Sequence, residues 1–203
     1  MSISADDRER ISAAIRAAEA KTSGEIVCVL AETSSTATTM PVLLAAVGAL
    51  ALPWLLVAFT ALPVFRILTL QIVAFVALLA MFCWTPIRVA LMPRRARRAV
   101  AHRVAMEQFR MRGLARKPER TGILIFVSLA ERYARIIADD SISARVPQSQ
   151  WQAAVDALIA HMRDGRIADG FVAAIDLCGD ELAKNFPSTE PHRDTLPDRI
   201  YLI

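Results

Sequence analysis

Asp139 and Asp140 stand side by side after an apolar stretch that ends at Ala138, and they are the residues of this chain best suited to hold a divalent cation. A loop at the end of a strand can gather carboxylates from several segments. Ca²⁺ takes about six to eight oxygen ligands and Mg²⁺ about six, so two aspartates need help. Glu25, Glu131 and Asp176 are the carboxylates that could supply it. Short polar side chains of this kind also cap helices and shape turns, which is the competing reading of the pair.

Other chemistries find no residues to carry them, and no catalytic residue is assigned. The chain has no G-x-S-x-G, HExxH, P-loop or GxGxxG pattern. Neither Cys28 nor Cys178 is followed six residues later by the arginine of a thiol-phosphatase loop, and there is no DxD pair for an aspartyl-phosphate mechanism. His102, His161 and His192 lack metal-ligand spacing. Cys28, Cys83 and Cys178 are too scattered for a CxxC site or a disulfide framework, and they read as buried, reduced thiols.

Arg94, Arg95, Arg97, Arg98 and Arg103 form a cationic cluster with no acidic residue before Glu107. Clustered cations can bind phosphate, but single-stranded nucleic acid also needs aromatic platforms, and Phe109 is the one aromatic residue nearby. No nucleic acid partner is therefore expected. The cluster reads as a set of membrane-interface residues that meet anionic lipid headgroups, with Trp84 as an aromatic anchor. The formal net charge of +4 adds nothing beyond this.

Two uncharged runs precede the cluster, Met40 to Leu62 and Ile67 to Trp84, separated by Pro63-Val64-Phe65-Arg66. At about 1.5 Å per residue the first can cross a hydrocarbon core of roughly 30 Å, and the second can do so if it continues through Thr85 to Met92. The short turn puts both flanks on one side of the membrane. Met1 to Arg10 is polar and acidic, unlike a secretory signal. The arginine cluster then places both termini in the cytoplasm. No ionisable residue lies inside either run, so the pair reads as an anchor and not a transporter. Ala45 and Ala49, opposed by Ala74, Ala77 or Ala80, permit close packing within the hairpin or between copies in a homo-oligomer.

The flanks read as halves of one soluble domain. Ile11, Ile15 and Ala18 mark a helix that Ser4 can cap. Glu25 to Ala31 and Ile123 to Leu129 are apolar enough to be strands covered on both faces, and Tyr133 to Ala138 must return antiparallel after a short turn. The stretch from Arg94 to Arg116 is helical, with Val100, Val104, Met111 and Leu114 as its stripe. Pro147 begins a helix with Trp151, Val155, Leu158 or Ile159, and Met162 inward, which ends at Asp164-Gly165. A last helix buries Phe171, Ile175, Cys178 and Leu182 and stops before Pro187, and Ile200 to Ile203 is apolar enough to dock as an edge strand.

The expected fold is α/β, a three-layer α/β/α sandwich around a small mixed sheet, with a two-helix transmembrane hairpin inserted in a β–α–β crossover. Residues 1–39 and 94–187 are the split cytoplasmic domain. Residues 40–92 are the hairpin, with helices over about 40–62 and 67–88, and 188–203 are a tail.

Several blocks in order resemble the TPM domain family, in its bacterial membrane-anchored branch. They are Thr22-Ser23-Gly24-Glu25-Ile26-Val27, the membrane pair led by Pro41, Glu107-Gln108-Phe109, the run from Arg120 to Ser128, and Glu131-Arg132-Tyr133. Arg145-Val146-Pro147-Gln148-Ser149 with Trp151, and Leu196-Pro197-Asp198-Arg199-Ile200, complete the set. The resemblance implies an α/β/α sandwich and a place in the bacterial inner membrane. The family is diverse, with members linked to photosystem II maintenance, receptor accessory roles, phosphatase activity or calcium binding. Where relatives place cations in a Gly-rich acidic loop after the third strand, this chain has Asp139-Asp140-Ser141-Ile142-Ser143 without a glycine. The resulting expectation is a non-catalytic, TPM-like binding or regulatory module for a membrane protein partner. The alternative is a phosphatase acting on phosphomonoesters with Ca²⁺ or Mg²⁺ held by Asp139, Asp140, Glu25 and Glu131.

Overall fold

Glu25–Ala31 is apolar at every position after Glu25, a pattern that suits a strand meeting protein on both faces. In the computed structural model it is strand β1, and all seven residues are buried. The structure describes residues 3–34, 39–84, 87, 89–90, 92–114, 121–188 and 197–203. The polar linker at 35–38, parts of the expected helical continuation at 85–92, the run 115–120, and 189–196 with His192 lie outside them.

Strand β2, Gly122–Ser128, pairs parallel with β1 from Glu25 opposite Gly122 to Ala31 opposite Ser128. β3, Tyr133–Ala138, pairs antiparallel with β2, as the four-residue link requires. Arg132 makes that link tight by taking a left-handed φ of 51°. The C-terminal residues Ile200–Leu202 form β4, parallel to β1 at the sheet edge, so the apolar tail docks as expected. The four-stranded sheet is mixed and runs β3-β2-β1-β4.

Side chains alternate across the sheet and meet a different layer on each face. Ile26, Cys28, Leu30, Ile123, Ile125 and Val127 face one core. There they pack with α1 (Ala5–Glu19), α6 (Gln150–Arg163) and α7 (Ile167–Asn185). Val27, Val29, Leu124 and Phe126 face the other core and meet α4, Arg94–Met111. The stripe of α4 differs in part from the expected one: Val104 packs against this core and Leu114, just past the helix end, is buried in it, as expected. Ala101, Ala105 and Phe109 are buried, while Met111 is exposed. Small alanines let the helix approach the sheet, so steric fit overrides the larger hydrophobes beside them.

Local chemistry sets the helix ends. The Ser4 hydroxyl accepts from Asp7 N–H at 3.1 Å and the Asp7 carboxylate receives Ser4 N–H, a capping box at α1. Gly165, with φ of 77°, closes α6. That helix begins at Gln150, later than Pro147, because Pro147–Ser149 form a preceding turn. Where α1 crosses α7, a Cβ on Gly179 would lie 2.7 Å from the Ala18 Cβ, so only glycine permits this approach.

The chain divides into two compact units, Met1–Ser34 with Ala101–Ile203, and Ser35–Val100. Within the second, α2 (Thr39–Phe59) and α3 (Val64–Cys83) pack as a hairpin. The turn falls at 60–63, earlier than the sequence suggests, because Pro63 holds φ near −65° and starts α3 with Arg66 in its first turn. Pro41, Ala45 and Ala49 are buried, and a Cβ on Gly48 would meet Leu78 at 3.0 Å. The small-residue side of α2 is therefore used inside the hairpin.

Candidate functional site

The carboxyl ends of β1 and β2 hold a buried, multiply hydrogen-bonded polar group. Beyond Ala31 the chain keeps pairing, with Leu129 N–H on Ala31 O and Ala130 N–H on Glu32 O. That pairing puts Glu131, 4% exposed, against the last residues before the hairpin unit begins. Its carboxylate accepts from Ser34 N–H at 3.0 Å, from the Thr33 hydroxyl at 3.1 Å and from the Ser128 hydroxyl. The Ser34 hydroxyl in turn donates to Ser128 Oγ at 2.9 Å. Three donors on one buried carboxylate stabilise its charge and fix the chain where it leaves β1. Glu131 was expected from the sequence, but Thr33, Ser34 and Ser128 were not. Only strand register brings residues almost a hundred positions apart into contact.

The amino ends of the same strands hold the other expected carboxylates. Glu25, 2% exposed, starts β1 opposite Gly122, and Asp139 N–H donates to Gly122 O at 3.0 Å. Asp139 caps the short helix α5, Asp140–Ser143, with Oδ1 accepting from Asp140 N–H at 2.7 Å. Its Oδ2 is buried and has no hydrogen-bond partner among the described residues. Glu131 therefore lies at the opposite end of the strands from Glu25 and Asp139, roughly 20 Å away at 3.3 Å per residue. Asp176 is exposed on α7. Among the described residues no group of three His, Cys, Asp or Glu side chains could hold an ion. Asp139 acts as the capping residue that the sequence allowed.

The basic cluster lies on α4. Arg94, Arg95, Arg98 and Arg103 are exposed and Arg97 is half-buried. Among the described residues none of the five forms an ion pair, whereas Arg10 reaches Asp169 at 2.6 Å and Arg166 reaches Asp164 at 3.0 Å. The Arg10 guanidinium holds Asp169 below the usual carboxylate range by hydrogen bonding, and Asp169 raises Arg10 in return. These paired charges line a cleft between α1 and the start of α7 and neutralise one another. Trp84, 68% exposed, follows α3 in extended conformation.

One aromatic contact escaped the sequence reading. Arg112 stacks on the Tyr201 ring at 3.4 Å and Arg199 lies 5.0 Å from the same ring. Burial lowers the Arg112 pKa, while Tyr201 opposes the shift. Arg199 lies in the bend just before β4 and Tyr201 within the strand, and no periodic spacing flags the pair. Cys28 and Cys178 are fully buried, and desolvation raises both thiols, so neither is an activated nucleophile.

These features define an α/β domain with helices on both faces of a four-stranded mixed sheet, split in sequence by an apolar helical hairpin. Residues 84–181 match the family model described as the TPM domain. The fold is similar to that of the BA42 protein from the psychrophilic bacterium Bizionia argentinensis, solved by NMR. The TM-score is 0.64 at 21% identity, covering 100% of this chain and 97% of the other. No curated protein matches the chain.

Proposed function

We propose that the hairpin crosses the bacterial inner membrane with both termini in the cytoplasm, and that the TPM domain is a non-catalytic module that binds or regulates a membrane protein. The observation that carries this reading is the outer surface of α2 and α3. Trp54 is 81% exposed, Phe59 83% and Phe65 81%, on spans of 19 and 20 residues that are long and apolar enough to cross. Water does not tolerate a continuous apolar surface of this kind, and hydrocarbon does. Pairing of β1 with β2, from either side of the hairpin, supports a single compartment for the two flanks.

Crosslinking from the cytoplasmic domain in native membranes tests the module. Capture of a discrete membrane protein is expected, and repeated capture of lipid alone would overturn it. A reporter fused after Ile203 tests the threading and should be active on the cytoplasmic side.

The buried, unpartnered Asp139 Oδ2 favours one second reading, a metal-dependent phosphatase acting on phosphomonoesters. Turnover that requires Mg²⁺ or Ca²⁺ and disappears in Asp139→Asn would establish it. Absence of both turnover and metal-induced stabilisation would remove it.

A further inference from the structure

We propose that the first turns of α4 are a docking surface for anionic phospholipid headgroups, and that such lipid holds this end of the helix in place. The inference rests on the membrane-spanning reading of the hairpin. Arg94, Arg95, Arg97 and Arg98 lie in the same compact unit as α2 and α3. Arg94, Arg95 and Arg98 are exposed, and none of the four meets a carboxylate among the described residues. By contrast Arg10, within α1, and Arg166, at the start of α7, are each compensated by Asp169.

The placement is electrostatically costly unless an anion arrives from outside. Arg97 N–H bonds Pro93 O at 3.0 Å, so Pro93 precedes the first turn of α4 and its side chain offers no acceptor. The first turn contains no acidic residue. Cations therefore crowd the positive end of the helix dipole, where carboxylates normally stand. A phosphodiester offers charge-assisted acceptors to guanidinium groups, and an anionic membrane surface supplies many at once. A bilayer crossed by the hairpin presents that chemistry within about ten residues of the end of α3 at Cys83.

The test uses the full chain in nanodiscs of phosphatidylcholine, with or without phosphatidylglycerol, and follows hydrogen exchange at residues 94–100. Phosphatidylglycerol should slow exchange there by about fivefold or more, the factor one arginine contact supplies at an anionic surface. The protection should fall as salt is raised. It should be lost in the variant Arg94→Gln, Arg95→Gln, Arg98→Gln, whose exposed positions leave packing untouched, and be retained when the same three become lysine. Equal exchange in both lipids, or protection that survives the glutamine variant, would overturn the proposal. Equal protection by inorganic phosphate in phosphatidylcholine discs would also overturn it, by making the patch a soluble-anion site. Carbonate extraction of the same preparations reports separately on the hairpin. Protein that washes off would defeat the membrane-spanning reading, whereas retained protein without lipid-dependent protection would defeat the headgroup site alone.

Discussion

β1 and α2 are both almost uncharged, yet the molecule treats them in opposite ways. Each residue of β1 is covered by other parts of the chain, half by α1, α6 and α7 and half by α4. On α2, only a small-residue side is covered, and Leu43, Val47, Leu50 and Trp54 stay exposed. Apolar composition is thus a demand for cover, and it does not say what provides the cover. In one unit the chain supplies its own, and in the other we assign that part to lipid.

Two tryptophans break or sharpen this contrast most strongly. Trp151 is 1% exposed within the larger core, so Trp151→Ala should destabilise the α/β domain by about 3–5 kcal/mol. Trp54→Ala, at an 81% exposed position, should leave domain unfolding in urea unchanged. Equal losses would mean that the two units do not stand apart energetically.

Glu131 comes next. Glu131→Ala leaves Ser34 N–H and two hydroxyls without their shared acceptor and should cost about 2–3 kcal/mol, measured by chemical denaturation. It should also raise proteolysis near Ser34, where the first segment of that unit ends.

Alkaline pH probes the buried thiols. Burial raises Cys28 and Cys178 in the folded state, so both stay protonated while an unfolded thiol ionises above about pH 8.5. The folded state then binds more protons, and stability is present below that pH and is lost as pH rises, by about 1.4 kcal/mol per pH unit for each thiol. Cys28→Ala should flatten the slope, and thiol reagents should react with Cys28 only after unfolding.

The smallest effect belongs to the surface. Arg10 depresses Asp169, so this contribution is present above the ordinary aspartate pKa and fades as pH falls through the lowered value. Asp169→Asn should remove a slight acid dependence of the melting temperature while leaving the neutral-pH value nearly unchanged.

Much of the fold was legible because local patterns and tertiary demands agree. β1 and β3 have their expected bounds, the Ser4 cap is present, and Phe171, Ile175, Cys178 and Leu182 form the inward face of α7. The inward face of α4 was only partly legible: Val104 and Leu114 pack inward as their hydrophobicity suggests, but close packing selects Ala101 and Ala105 over Val100 and Met111. The site was harder still. Asp139, Glu25 and Glu131 were identifiable as unusual carboxylates, and the expected parallel β1–β2 pair with an antiparallel β3 already separates them between the ends of the sheet, but the donors that meet Glu131 were not identifiable.

By itself the sequence determined the strands, the apolar pair and the split of the domain around it, because these follow from periodicity, run length and the reach of a short turn. Only the tertiary structure decided that Glu131 closes on Thr33, Ser34 and Ser128. Parallel register, a long-range property, sets Ala31 beside Ser128 and so brings Glu131 onto Thr33 and Ser34, residues that no local pattern links.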